Sequence, residues 1–148
     1  MNLVLFDCDG TLVDSGDFIH RCMAETFAGA GLEPPRPAAT HAIIGLSLPL
    51  AIARLLGREP DGDAERLTLL YKQNFTRLRQ AADFHEPLYD GILPLLAALG
   101  ARDDLLLGIV TGKSRRGVHS IFERHGIGDY FTVIRTADDC PSKPNPAM

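Results

Sequence analysis

Three short apolar runs punctuate the chain, and the long stretch between the first two carries its apolar residues at helical spacing instead. Leu3 to Phe6 is continuous and stops at Asp7. Leu105 to Val110 stops at Thr111-Gly112, and Phe131 to Ile134 is the third. Short unbroken runs bounded by turn residues predict strands buried on both faces. After the first run, Asp9-Gly10-Thr11 supplies a turn, and Ser15 is placed to cap a helix with Ile19, Cys22, Met23 and Phe27 on one face. Gly29 and Gly31 end that helix, and Pro34, Pro35 and Pro37 stiffen the connector. Two shorter helices are predicted over 41–44 and 49–56, either side of Gly45-Leu46-Ser47. A longer one over 63–81 aligns Leu67, Leu70, Tyr71, Phe75 and Leu78. Beyond Pro87, Asp90-Gly91 opens a helix whose inner face is Ile92, Leu95, Leu96 and Leu99. Ser114 caps another, with Val118, Ile121, Phe122 and His125 turned inward.

Strand, helix, strand, helix, strand predicts an α/β protein with a Rossmann-like parallel sheet and right-handed crossovers. The sheet-forming residues are 1–14 and 86–148, and 15–85 is a helical insertion after the first strand. That insertion is expected to act as a cap, with hinges near Ser15-Gly16 and His85-Pro87.

Composition narrows the classes of function. The chain has 148 residues, 45% of them hydrophobic and 23% charged, enough to bury a core. Its net charge of −4 offers no general attraction to nucleic acid or to an anionic membrane. No apolar run approaches the roughly 20 residues that span a bilayer. Three cysteines without metal-ligand spacing, and a start too short for a signal peptide's apolar region, lead to the expectation of a cytoplasmic protein with free thiols. The five histidines form no recognised metal-binding pair.

The chemistry lies where the strands end. Ligands of parallel sheets bind beyond the carboxyl ends of the strands, and there the sequence puts Asp7 and Asp9. Two carboxylates two residues apart on an extended segment face the same way, and their repulsion calls for a cation. Oxygen ligands beside a phosphate suit Mg²⁺. Gly10 permits a tight turn whose backbone N–H groups, with that of Thr11, are placed to cradle a phosphate. Thr111 offers a hydroxyl at the second strand end, and Lys143, after the third, a positive charge for a phosphoryl group. Lys113, Arg115 and Arg116 read either as a positive rim or as a solvated helix start. Cys8, between the two acids, belongs to the core.

The segments Asp7-Cys8-Asp9-Gly10-Thr11-Leu12-Val13-Asp14-Ser15, Val110-Thr111-Gly112-Lys113 and Ser142-Lys143-Pro144-Asn145-Pro146 resemble the first three motifs of the haloacid dehalogenase superfamily. The helical insertion, with Ile44-Gly45-Leu46-Ser47 at a turn, is similar to that of the phosphoglycolate phosphatase-like branch. The resemblance implies that Asp7 is a nucleophile passing through an aspartyl-phosphate. It implies that Asp9 protonates the leaving oxygen and then activates water. Thr111 and Lys143 would bind the phosphoryl group, and Mg²⁺ would contact the Asp7 carboxylate and the Asp9 backbone carbonyl. Gly10, Thr11 and Gly112 would surround the phosphate, with Gly45 and Arg54 the substrate-binding candidates of the cap, Arg54 for a carboxylate. An acid at position 9 favours a phosphatase over a dehalogenase. The implied substrate is a small phosphorylated metabolite, phosphoglycolate first. A sugar-phosphate mutase and an inactive phosphate- or partner-binding fragment are the alternatives.

The family's fourth motif, an acidic pair after a further strand, has no counterpart here. Five residues follow Lys143, and a parallel crossover takes a dozen or more. Asp138 and Asp139 precede Lys143 and are expected to be loop-surface acids. The chain therefore reads as a piece of a longer phosphatase whose first strand is left as an exposed apolar edge, prone to self-association.

Overall fold

In the computed structural model, which describes residues 1–141 and 143–148, the three apolar runs form one parallel sheet. Its order is β1 (Asn2–Phe6), β2 (Leu105–Val110), β3 (Phe131–Arg135). The central strand β2 pairs from Asn2↔Leu105 to Phe6↔Ile109 on one side and reaches Val110↔Arg135 on the other. All three strands therefore finish at the same end of the sheet, at Asp7, Thr111 and Thr136. Gly108 in mid-β2 has a steric reason: a Cβ there would lie 2.8 Å from Leu5 Cδ2 and 3.2 Å from the Val133 carbonyl. β1 is an edge strand, and the expectation of strands buried on both faces is corrected: Val4 and Phe6 pack into the core while the alternate residues Leu3 and Leu5 are half exposed, at 52% and 50%.

The chain divides into two compact units, Met1–Asp14 with Pro87–Met148, and Ser15–Glu86. In the first, α5 (Ile92–Gly100) and α6 (Arg115–His125) connect the strands. Leu12, Leu96, Leu107, Ile109, Val118, Ile121 and Ile127 are buried together. Burying one such side chain is worth about 1.5–3 kcal/mol. Phe122 stacks on Phe131 at 5.3 Å, and Phe6 meets Phe131 edge-on at 6.1 Å. The places where the chain leaves this unit and returns are stitched together. The Asp14 N–H donates to the Pro87 carbonyl (2.8 Å), the Tyr89 N–H donates to the Leu12 carbonyl (3.0 Å), and Val13 bridges Leu88.

The second unit is helical: α1 (Gly16–Gly29), α2 (Pro37–His41), α3 (Leu48–Leu55) and α4 (Gly62–Leu78). Phe18, Cys22, Met23, Phe27, Ile52, Leu67, Tyr71 and Leu78 make its own core. Phe18 packs edge-on against Phe75 (5.1 Å) and Phe84 (4.6 Å). Among the described residues no helix is long and apolar enough to cross a membrane.

Several local expectations are corrected. The first short helix starts at Pro37 rather than at 41, because the fixed φ of proline suits a first helical turn. Helix α4 starts one residue earlier than the spacing predicts, since Asp61 caps it by accepting from the Ala64 N–H at 2.9 Å. Ser15 precedes α1 without a side-chain capping bond. Leu95 is 42% exposed, so the buried face of α5 is narrower than its apolar spacing suggests. His125 is half-buried at the end of α6, where Gly126 turns the chain at φ 64°.

Candidate active site

Asp7 follows the last residue of β1, and the chain turns at once. The Cys8 carbonyl accepts from the N–H groups of Thr11 (3.2 Å), Leu12 (2.9 Å) and Val13 (3.1 Å), while the Gly10 N–H donates to the Val13 carbonyl (3.0 Å). Gly10 sits at φ 76°, a conformation that glycine adopts without steric cost. Two expectations change here. The extended segment ends at Asp7, so Asp9 is carried on a closed loop bridged to Val13 rather than along a strand. The N–H groups of Gly10 and Thr11, expected to meet a phosphate, hold that loop shut instead.

Each acid carries its own ammonium partner. Asp7 accepts from the Cys8 N–H through Oδ1 (2.7 Å) and from Lys143 Nζ through Oδ2 (2.8 Å). Asp9 Oδ1 accepts from Lys113 Nζ at 2.8 Å, with the two side chains only 13% and 10% exposed. Thr111 is buried; its N–H donates to the Arg135 carbonyl (3.0 Å), and its Oγ1 accepts from the Lys113 N–H (3.2 Å). Cys8 lies among these groups. Burial first, then Asp9 and Asp7, push its thiol up to about 12 against the pull of Lys113 and a hydrogen bond with Thr111. Cys8 therefore stays a neutral thiol and is not a nucleophile at this site.

The structure thus gathers Asp7, Asp9, Thr111 and Lys143 at the ends of the strands and adds Lys113, which sequence reasoning left as rim or solvated surface. Only the neighbouring Gly117 could have signalled it. Gly112 follows Thr111 and is half-buried, while Gly10 and Thr11 are exposed. Gly45 (φ 98°) and exposed Arg54, on α3, belong to the helical unit. Ser142 of the third motif lies outside the described residues.

Asp138 and Asp139 are exposed loop acids, as expected, and both are hydrogen-bonded. Asp138 Oδ2 accepts from the Arg115 N–H at the start of α6 (2.8 Å), and Asp139 Oδ1 takes the Arg115 guanidinium (2.6 Å). Asp139 Oδ2 accepts from both the N–H and the hydroxyl of Thr136, each at 2.8 Å. The loop after β3, which leads to Lys143, is thereby tied to the start of α6. The Arg115 and Thr136 hydrogen bonds hold the Asp139 carboxyl down at about 2, against an ordinary 3.8. The folded chain therefore binds fewer protons here than the unfolded one, so the contribution is complete above about pH 4 and is lost as pH falls toward 2. In denaturant melts, Asp139→Asn should be destabilised relative to the parent at pH 6, with the gap narrowing at pH 3. A gap independent of pH would show that the carboxylate charge is not what matters.

Among the described residues no three His, Cys, Asp or Glu side chains gather into a metal-binding group. Magnesium asks for less, commonly one or two carboxylates with substrate oxygens and waters completing the shell. At the end of β1 the Asp7 carboxylate is a ligand of that kind, while the Cys8 and Val13 carbonyls are already taken by N–H groups of the loop.

The match to known proteins agrees with this geometry. Residues 4–148 match the family model of the haloacid dehalogenase-like hydrolases, and the chain belongs to that family. It is 30% identical to the N-acetylmuramic acid 6-phosphate phosphatase of Pseudomonas putida, over 99% of this chain and 65% of that protein. It is 32% identical to the phosphoglycolate phosphatase of Yersinia pseudotuberculosis, over 97% of this chain and 62% of that protein. The chain thus spans somewhat less than two thirds of these relatives. Among solved structures, a haloacid dehalogenase-like hydrolase from Bacteroides fragilis superposes with a TM-score of 0.83 at 26% identity, covering 97% of this chain and 67% of that one. A hydrolase from Pseudomonas syringae gives 0.76 at 25%, covering 96% and 62%.

Proposed function

We propose that the protein of which this chain is part, or the whole, is a Mg²⁺-dependent phosphatase acting on a small phosphomonoester through an aspartyl-phosphate. The observation that carries the reading is the convergence of Asp7, paired with Lys143, and Asp9, paired with Lys113, beside buried Thr111. An Asp7 oxygen attacks phosphorus while the bond to the leaving oxygen breaks, and Asp9 gives that oxygen its proton. Water then attacks the aspartyl-phosphate, Asp9 takes the water's proton, and inorganic phosphate leaves. Thr111 donates its hydroxyl to a phosphoryl oxygen, and Lys143 neutralises charge on the phosphoryl group while holding Asp7 ionised. The metal, held by the Asp7 carboxylate and the Asp9 carbonyl, would supply further charge neutralisation. The helical unit, with Gly45 and Arg54, would choose the substrate. An acid at position 9 argues against dehalogenase chemistry, in which no leaving oxygen needs a proton.

Both named relatives act on phosphomonoesters, which supports phosphoglycolate and sugar phosphates as first substrates. Release of phosphate from phosphoglycolate, N-acetylmuramic acid 6-phosphate and an aryl phosphate should require Mg²⁺ and stop on chelation by EDTA. Isomerised sugar phosphate in place of free phosphate would mean a mutase instead. Turnover unaffected by EDTA would sink the metal assignment, and binding of phosphate without turnover would leave a binding fragment. The protein would work in the cytosol, which suits its three free thiols.

A second reading concerns assembly. The β1 edge, with Leu3 and Leu5 half exposed, supports self-association through strand pairing. Sedimentation at rising concentration should show dimers or larger species, and a monomer throughout would remove the idea.

A further inference from the structure

We infer that Lys113 and Gly117 together form a positioning device for Asp9, acting on the step in which Asp9 serves as a base; this rests on the reading of Asp9 as the acid–base residue. Two independent observations carry it. The first is the Lys113–Asp9 ion pair at 2.8 Å, with both side chains largely withdrawn from water. The second lies on α6. A Cβ built on Gly117 would fall 2.8 Å from Lys113 Cγ, 3.0 Å from Cε and 3.2 Å from Cδ. The lysine stem therefore runs across the bare backbone of the first helical turn, in the space that any other residue would fill.

Glycine is a poor choice there on helix grounds, since alanine is the better helix former. The backbone at 117 is ordinary helix, within Arg115–His125, and Ser114 already caps the turn by accepting from the Gly117 N–H at 3.2 Å. What the glycine provides is passage for a side chain. With that passage open, the Lys113 ammonium reaches Asp9 Oδ1 and fixes the carboxylate on its closed loop. With it blocked, the stem must shift, and its ion pair with Asp9 is disturbed.

The two halves of the reaction feel this disturbance differently. With an aryl phosphate the leaving group departs with little help from an acid, so forming the aspartyl-phosphate is largely insensitive to where Asp9 points. Its hydrolysis needs a base aimed at the attacking water. Disturbing Lys113 or Gly117 should therefore slow the second half and let the aspartyl-phosphate accumulate.

The test uses Lys113→Met and Gly117→Ala in the full chain, with Asp9→Asn as reference. With a nitrophenyl phosphate, both variants should lose about tenfold in steady-state kcat. Both should also show a burst of nitrophenol close to one equivalent per active site, absent in the parent. A fall in rate without a burst, or no fall, would overturn the inference. A second arm needs no turnover. The ¹⁵N signal of the Lys113 ammonium should move in Gly117→Ala in the direction it moves in Asp9→Asn. If it stays at the parent position, Gly117 does not set the pair. A parent chain without turnover would show that these residues alone do not make the phosphatase, while the ammonium signal would still decide whether the device exists.

Discussion

Asp7→Asn should remove Mg²⁺-dependent phosphate release almost entirely, by roughly 10⁴- to 10⁶-fold, the scale on which loss of a covalent nucleophile acts. The substitution is nearly isosteric. The amide oxygen still accepts a hydrogen bond, but the group no longer carries the charge that pairs with Lys143 or the electron pair that attacks phosphorus. The fold should survive, because Asp7 and Lys143 are 22% and 33% exposed and a pair so placed contributes at most about 1 kcal/mol. A thermal melt within a few degrees of the parent, together with absent turnover and no ³²P label trapped on the protein by acid quench, is the expected result. Retained turnover would assign the nucleophile elsewhere.

Lys143→Met should lower kcat by about 10²- to 10³-fold, comparable to removing one preorganised donor to a developing negative charge. It should do so with little change in melting temperature, for the same reason of exposure. Lys143→Arg should restore only part of the rate, since a planar, delocalised guanidinium does not place a point charge at the same spot. A loss of stability matching the loss of rate would instead make Lys143 a structural residue of the loop.

The strands and their acids were legible in the sequence because they obey local rules. Leu3–Phe6 and Leu105–Val110 are unbroken apolar runs, which predict strands of a parallel sheet; burial on both faces did not follow for β1, where Leu3 and Leu5 stay half exposed. Asp7, Thr111 and Lys143 follow from chain order, since strand ends in one parallel sheet must converge. The direction of Lys113 was not legible. It depends on a gap at Gly117, four positions on, and on where the loop after β1 carries Asp9, and neither is a property of lysine. That Asp138 and Asp139 are surface acids of a loop was legible; their partners, Arg115 and Thr136, were not, because folding rather than sequence pattern joins them. Leu95 followed the helical period and still faces water, because the surface that α5 covers is narrower than its apolar stripe. The tight turn at Gly10 was anticipated from its residue type, but the use of its N–H groups was not.

The stitching of residues 12–14 to 87–89 has a thermodynamic corollary. Because the two ends of the inserted segment are held within hydrogen-bonding distance, the sheet-bearing unit meets the segment only as a closed loop. Loop-closure entropy grows with the logarithm of length, about 0.6 kcal/mol for each doubling, and the segment has its own core to stabilise whatever length it has. Residues added to or removed from 15–86 therefore burden the strand-end acids almost not at all. The module proposed to select substrates is free to vary in size and sequence while the chemistry at the strand ends stays fixed.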